Sequence, residues 1–236
     1  MKVLIVIPAY NEEKILEKNV LRLYNFLQNN NLENWQVVIA NNASTDQSEK
    51  IGQKLNADYQ QISYLKILKK GKGIAIRSAW KKYSDADIFV FLDADLSADI
   101  NFLPNLINAV AKENYDIAIG DRFDKNSQVK RNLKRNIISW GYCFILKIFF
   151  KTKINDLPCG FKAINKKILD NIIPFVQNNA WFFDSEMVLL AEKRGYKIKK
   201  IPIIWQENRG KQNNTPLWSI IKEYLKEIMR LKRGLH

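Results

Sequence analysis

Phe89-Val90-Phe91-Leu92-Asp93-Ala94-Asp95 is an apolar run that ends in two carboxylates one residue apart. Such a run reads as a buried strand, and open α/β sheets collect their ligands beyond the carboxyl ends of their strands. Hard divalent cations take oxygen ligands, and Mg²⁺ in particular is held by one or two carboxylates together with substrate phosphates. Asp93 and Asp95 are therefore read as metal ligands serving a phosphorylated molecule. The plainer alternative is a solvated Asp-rich turn, and the neighbouring segments decide between the two.

Upstream of that run, apolar segments alternate with helical patterns. They predict strands over residues 3–7, 36–40, 64–68 and 88–92 and helices over 12–27, 45–55 and 74–83. A helix over 101–112 and a strand over 116–119 continue the series. This is a βαβ succession with a mostly parallel sheet, and right-handed crossovers place the loops 8–13, 41–46 and 93–99 along one edge. The second half changes character: a basic stretch over 123–136, an aromatic-rich amphipathic helix, then a helix around 185–194, a strand over 198–204 and a final helix over 218–233. With no internal repeat and no low-complexity linker, residues 1–236 are expected to form one domain. Its expected parts are residues 1–120, residues 121–215 and a C-terminal amphipathic helix over 216–236.

Composition narrows the chemistry. The one histidine is His236, so a Ser-His-Asp triad and histidine-ligated zinc lack their central residue. Cys143 and Cys159 are too few for a disulfide framework and suit a reducing compartment. The net charge of +14 fits several anionic partners. It gathers in clusters at 69–72, 130–135, 197–200 and 222–233. Charge alone also suggests a nucleic-acid-binding module, but no nucleic-acid motif accompanies it, and nucleic acid is not expected as a partner. The longest apolar segment, residues 137–150, is interrupted by Lys147 and falls short of the roughly 18 residues of a membrane span.

Three loops carry a resemblance: Pro8-Ala9-Tyr10-Asn11-Glu12-Glu13, Asn41-Asn42-Ala43-Ser44-Thr45-Asp46 and Asp93-Ala94-Asp95-Leu96. In this order, each directly after a strand, they resemble the signatures of family 2 glycosyltransferases of the A-type fold, a Rossmann-like α/β domain. Lys70-Gly71-Lys72-Gly73, Gly120-Asp121-Arg122, Arg135 with Ser139, Asp156 followed by Cys159-Gly160-Phe161-Lys162, Phe183-Asp184-Ser185-Glu186 and Arg209-Gly210 resemble the polyprenyl- and dolichyl-phosphate glucosyl- and mannosyltransferase branch. Asn41-Asn42 departs from the commoner acidic pair and leaves both uracil and guanine open as the base. Asp121 departs from the family's serine.

The resemblance implies a donor site in which Pro8, Tyr10 and Glu12 surround base and ribose and Asn42 approaches the base. Ala9, Asn41, Lys72, Gly73, Ala94 and Arg209 complete the nucleotide-sugar site, with Asp93 and Asp95 holding Mg²⁺ or Mn²⁺. It implies that Arg122, Arg135 and Ser139 serve phosphates, and that Asp156, Asp184 and Glu186 orient those cations or touch sugar hydroxyls. A phosphate monoester, with a second pKa near ~6, is already a nucleophile, so no histidine base is needed. The expected reaction is inverting transfer of a hexose, from UDP-glucose ahead of GDP-mannose, to a polyprenyl or dolichyl phosphate. A second reading keeps the fold but takes a saccharide acceptor, with Asp184 or Glu186 as general base.

A lipid acceptor implies contact with a membrane. Trp140, Tyr142, Phe144, Phe149 and Phe150, with Lys147 and Lys151, fit an interfacial helix, and residues 218–229 set further apolar side chains on one face. The protein is expected in the cytoplasm, held peripherally at the cytoplasmic face of a membrane, directly or through a membrane protein.

Overall fold

The computed structural model describes residues 1–30, 32–130, 132–208 and 217–234, the side chains of 134–135 and 217–222 excepted. A seven-stranded sheet runs in the order β3-β2-β1-β4-β7-β5-β8. Its strands are β1 (Val3–Ala9), β2 (Trp35–Asn42), β3 (Ile62–Ile67), β4 (Ile88–Leu92), β5 (Ile117–Asp121), β7 (Phe161–Asn165) and β8 (Ile198–Pro202). β6 (Gln128–Lys130) and β9 (Ile204–Gln206) pair in parallel as a small second sheet.

β1 and β4 are buried along their whole length, as strands covered on both faces must be. Alternation divides their side chains between two layers. Val3, Ile5, Ile7, Ile88, Val90 and Leu92 pack in the layer formed with α1 (Leu16–Asn29), α2 (Ser48–Asp58) and α4 (Leu103–Ala111). Leu4, Val6, Phe89 and Phe91 pack on α3 (Lys72–Lys82) and α7 (Phe183–Lys193). Trp80 of α3 fills that second layer, with its ring centroid 6.2 Å from those of Phe89 and Phe183 and 6.0 Å from that of Phe91.

All pairings from β3 across to β4 are parallel, whereas β7 runs antiparallel between β4 and β5. Sequence periodicity misses β7. Its second residue, Lys162, reads as a surface residue, yet it is fully buried because it faces the same layer as Ile164. The antiparallel direction has a functional consequence: Leu92 pairs with Phe161, so the start of β7 arrives at the end of β4 and sets Gly160 beside Asp93.

Several boundaries differ from expectation for local reasons. The stretch expected as a helix from residue 12 begins at Leu16, after a turn in which Ile15 N–H donates to Glu12 O. The strand expected over 198–204 divides at Ile203, whose N–H donates to Ser127 Oγ after Pro202, which has no N–H to offer. The short α6 (Lys166–Asn171) and β6 carry too few residues to show a period. The aromatic helix is α5 (Leu133–Phe150) and the last is α8 (Leu217–Gly234). α8 buries Ile228 and Leu231 against the domain and leaves Leu225 and Met229 exposed.

Candidate active site

The ends of β1, β2 and β4 bring the three sequence motifs to one edge. Asn11 N–H donates to Ser44 Oγ at 3.0 Å, Thr45 N–H to Asn11 Oδ1 at 2.8 Å and Glu12 N–H to Ser48 Oγ at 2.9 Å, lacing the first two loops together. Asn19 Nδ2 reaches Ala94 O at 2.8 Å and joins the third. Each loop holds one non-glycine residue at positive φ: Asn11 at 56°, Ala43 at 63° and Leu96 at 44°. Backbone strain of this kind persists where a surrounding site over-determines it.

Asn41 is buried, with Nδ2 donating to Tyr64 OH at 2.8 Å and Oδ1 accepting from Ser44 N–H at 3.2 Å. Asn42 is buried next to it. Pro8 and Ala9 end β1 in register with Ala40 and Asn41. Tyr10 lies under Lys70, whose Nζ is 4.0 Å from the ring centroid, a cation–π contact that sequence reasoning did not anticipate.

Asp93 continues the alternation of Phe89 and Phe91, so its side chain faces α3 and α7. There Lys72 Nζ stands 2.7 Å from Asp93 Oδ1 and 2.7 Å from Asp184 Oδ2. The Lys72 and Asp184 side chains are buried, while that of Asp93 keeps 33% of its surface. Burial alone would lower the pKa of Lys72, but Asp184 and Asp93 outweigh it and hold the ammonium above the ordinary lysine range. Beneath them Lys162 Nζ donates to Cys159 O, and burial pushes its pKa down. Lys72, Lys162, Asp93 and Asp184 thus gather in one cluster of ionisable groups, with the two lysine Nζ atoms 5.2 Å and 5.5 Å from the Phe91 ring centroid.

Lys72 and Gly73, both expected in the nucleotide-sugar site, have protein partners here. Gly73 N–H donates to Ala180 O and Ile74 N–H to Asn179 O. A Cβ on Gly73 would overlap Phe183 and Asn178 O. Gly71, at φ +149°, would carry a Cβ into the Asn179 carbonyl. The glycines of this turn let α3 seat on the segment before α7. Trp181 in that segment is exposed, with Lys72 Nζ 5.6 Å from its ring, and stands at the mouth of the site. Its exposure is invisible in the sequence.

Asp95 is mostly buried, and its Oδ1 accepts from Ser97 N–H at 3.1 Å. Asn208 closes this corner, its Nδ2 donating to Asp95 O and Leu96 O at 3.2 Å each. A small cavity lined by Asp93, Ser97, Cys159, Gly160 and Trp205 opens beside the Asp93 carboxylate. Among the described residues no group of three or more His, Cys, Asp or Glu side chains gathers as a metal cage. Asp93 with that cavity alongside, and Asp95 two residues further on, fit an ion whose remaining ligands come from a bound diphosphate and water.

On the far side, Arg122 forks onto Asp156. Glu186 is buried, its Oε2 accepting from Asn178 N–H and its Oε1 from Arg230 Nη2, both at 2.8 Å. Ser139 lies partly exposed on α5. Arg209 and the side chain of Arg135 lie outside the described residues. No helix among the described residues is long and apolar enough to cross a membrane.

Residues 4–173 match the model of Glycosyl transferase family 2. Among curated proteins, the chain is 29% identical over 211 residues to Glycosyltransferase AglD of Haloferax volcanii, covering 87% of this chain and 33% of that protein. It is 29% identical to Dolichyl-phosphate beta-glucosyltransferase of Saccharomyces cerevisiae, over 87% of this chain and 67% of the relative. It is 31% identical to Dolichol-phosphate mannosyltransferase of Pyrococcus furiosus, over 99% of this chain and 64% of the relative. The chain thus spans a third of the first relative and about two thirds of the other two. A solved structure of glucosyl-3-phosphoglycerate synthase from Mycobacterium tuberculosis, in complex with Mn²⁺, UDP and phosphoglyceric acid, shares the fold. It matches at a TM-score of 0.74 with 15% identity, over 99% of this chain and 78% of that one.

Proposed function

Since the chain belongs to glycosyl transferase family 2, we propose that it transfers a hexose, with inversion, from a nucleotide diphosphate sugar to a polyprenyl or dolichyl phosphate. One observation carries the choice of acceptor. The two carboxylates available as general bases for a saccharide hydroxyl are both buried and ion-paired, Asp184 with Lys72 and Glu186 with Arg230. An alcohol acceptor needs a base within hydrogen-bond reach of its proton, whereas a phosphate monoester attacks without one. Relatives named for dolichyl and dolichol phosphate support the same choice.

Asp93 and Asp95 would hold Mg²⁺ or Mn²⁺ against the donor diphosphate, and a neighbour solved with Mn²⁺ and UDP supports that assignment. The ion, when bound, supplies positive charge against the departing nucleotide. Tyr10, Asn41 and Asn42 bound the end where base and ribose are received. Arg209 serves the donor diphosphate and Arg135, with Ser139, the acceptor phosphate, on the strength of their motif positions. UDP-glucose is favoured over GDP-mannose because Lys70-Gly71-Lys72-Gly73 and Cys159-Gly160-Phe161-Lys162 resemble the glucosyl branch.

The acceptor is reached at a membrane surface through α5. Leu133, Ile137, Trp140, Phe144 and Ile148 recur every three or four residues and are all exposed, an apolar stripe on a helix without acidic residues. Mass spectrometry of polyprenyl phosphate incubated with the protein, Mn²⁺ and either UDP-glucose or GDP-mannose tests the function. The lipid should gain one hexose, faster from UDP-glucose. An unchanged lipid with both donors would overturn the reading.

A further inference from the structure

We propose that Gly160 and Lys72 are positioning residues for Asp93, jointly fixing where its carboxylate points and so how well the site takes a divalent ion on a nucleotide diphosphate. The proposal rests on the functional reading above and assigns the reason for two residues that the reading leaves without a direct role.

The register of β4 on β7 brings Asp93 and Gly160 together, and Asp93 N–H donates to Gly160 O at 3.1 Å. The Asp93 side chain then occupies the space that a Cβ on Gly160 would take. The three heavy atoms nearest to a Cβ at position 160 are Asp93 Cγ, Oδ1 and Oδ2, all within overlap distance. Gly160 is not among the glycines at positive φ, so its backbone admits an L side chain, and clearance for Asp93 explains the glycine. From the other side Lys72 Nζ holds Asp93 Oδ1 at 2.7 Å. That ammonium cannot swing away freely, because it is buried and bonded at the same distance to Asp184.

Alanine at 160 therefore has a particular signature. A carboxylate at the end of a short side chain can rotate aside, so the fold pays little, but a metal ligand displaced by even an ångström no longer serves its ion. Gly73 makes a useful contrast, since its overlap is with the Phe183 Cβ and a backbone carbonyl, which cannot rotate away.

The test measures Mn²⁺ affinity by electron paramagnetic resonance, with UDP present and absent, alongside thermal melting. Wild type should bind Mn²⁺ more tightly with UDP than without. Gly160→Ala should melt within about 4 °C of wild type while its Mn²⁺ affinity with UDP falls by about tenfold or more. Lys72→Met, made together with Asp184→Asn so that no buried carboxylate is left alone, should lose affinity similarly. If Gly160→Ala folds poorly, adding Asp93→Ala should restore its melting point, because Asp93 is what stands in the way. Wild-type Mn²⁺ affinity in a folded Gly160→Ala variant overturns the proposal, as does failure of Asp93→Ala to rescue an unfolded one. Absence of any UDP-dependent Mn²⁺ binding in wild type would instead overturn the functional reading, and the proposal with it.

Discussion

Arg122 and Asp156 close a two-pronged fork, with Nε 2.7 Å from Oδ2 and Nη2 2.6 Å from Oδ1, and the backbone N–H of Arg122 donates to the same Oδ2 at 2.9 Å. Both side chains are almost wholly buried. The geometry ties the end of β5 to the segment that leads into β7, and so supports the wall on which Gly160 sits. Breaking a buried pair by removing one member leaves the other charge uncompensated, at a cost of about 3–5 kcal/mol. Asp156→Ala should lose that much in chemical denaturation, and a loss under about 1 kcal/mol would show that the fork is not structural.

The Glu186–Arg230 contact ties α8 to the first turn of α7. Arg230 also meets Glu227 and Gln177, while Tyr224, six residues earlier on the helix, packs on Tyr142, ring centroids 4.6 Å apart. Arg230→Ala should destabilise the protein by about 1.5–3 kcal/mol, the range of a hydrogen bond to a charged group. Hydrogen exchange should speed up first in α8 and around Asn178. An exchange pattern identical to wild type would contradict the coupling.

How the fold could be read from the chain depended on which residues obey surface statistics. β1, β2 and β4 announce themselves as apolar runs because both faces are covered, and their loops were placed at one edge by handedness alone. β7 escaped because Lys162, at its second position, is a buried lysine. Lys72 and Asp184 are separated by 112 residues, and no periodicity reports such a pair. The motifs thus located the candidate site, but not which of its charges face one another.

Exposed side chains on α5 give a direct test of the surface assignment. Fully burying a large apolar side chain is worth about 1.5–3 kcal/mol, so placing Trp140 and Phe144 in an interface contributes more than tenfold each to partitioning. Trp140→Asp with Phe144→Asp should abolish most sedimentation with anionic lipid vesicles while leaving the circular dichroism spectrum unchanged. Undiminished sedimentation would move the membrane surface elsewhere.

Cys143 and Cys159 are buried, and burial, reinforced by Asp156, pushes both thiols up to about 12. The thiolate is the reactive species, so at pH 8 only a very small fraction of either group can react. A thiol reagent should therefore label native protein far more slowly than unfolded protein. Labelling through the folded state should rise about tenfold per pH unit as the thiolate fraction grows. Rapid labelling of folded protein at pH 8 would contradict the burial of these two side chains.

The most direct measurement of the central claim offers both acceptor classes at once. Purified protein, Mn²⁺ and radiolabelled UDP-glucose are mixed with equal amounts of polyprenyl phosphate and a soluble saccharide, and the products are separated between organic and aqueous phases. Ion-paired Asp184 and Glu186 predict label in the organic phase, and its loss in Asp95→Asn. Label carried by the saccharide in the aqueous phase, with none in lipid, would contradict the account.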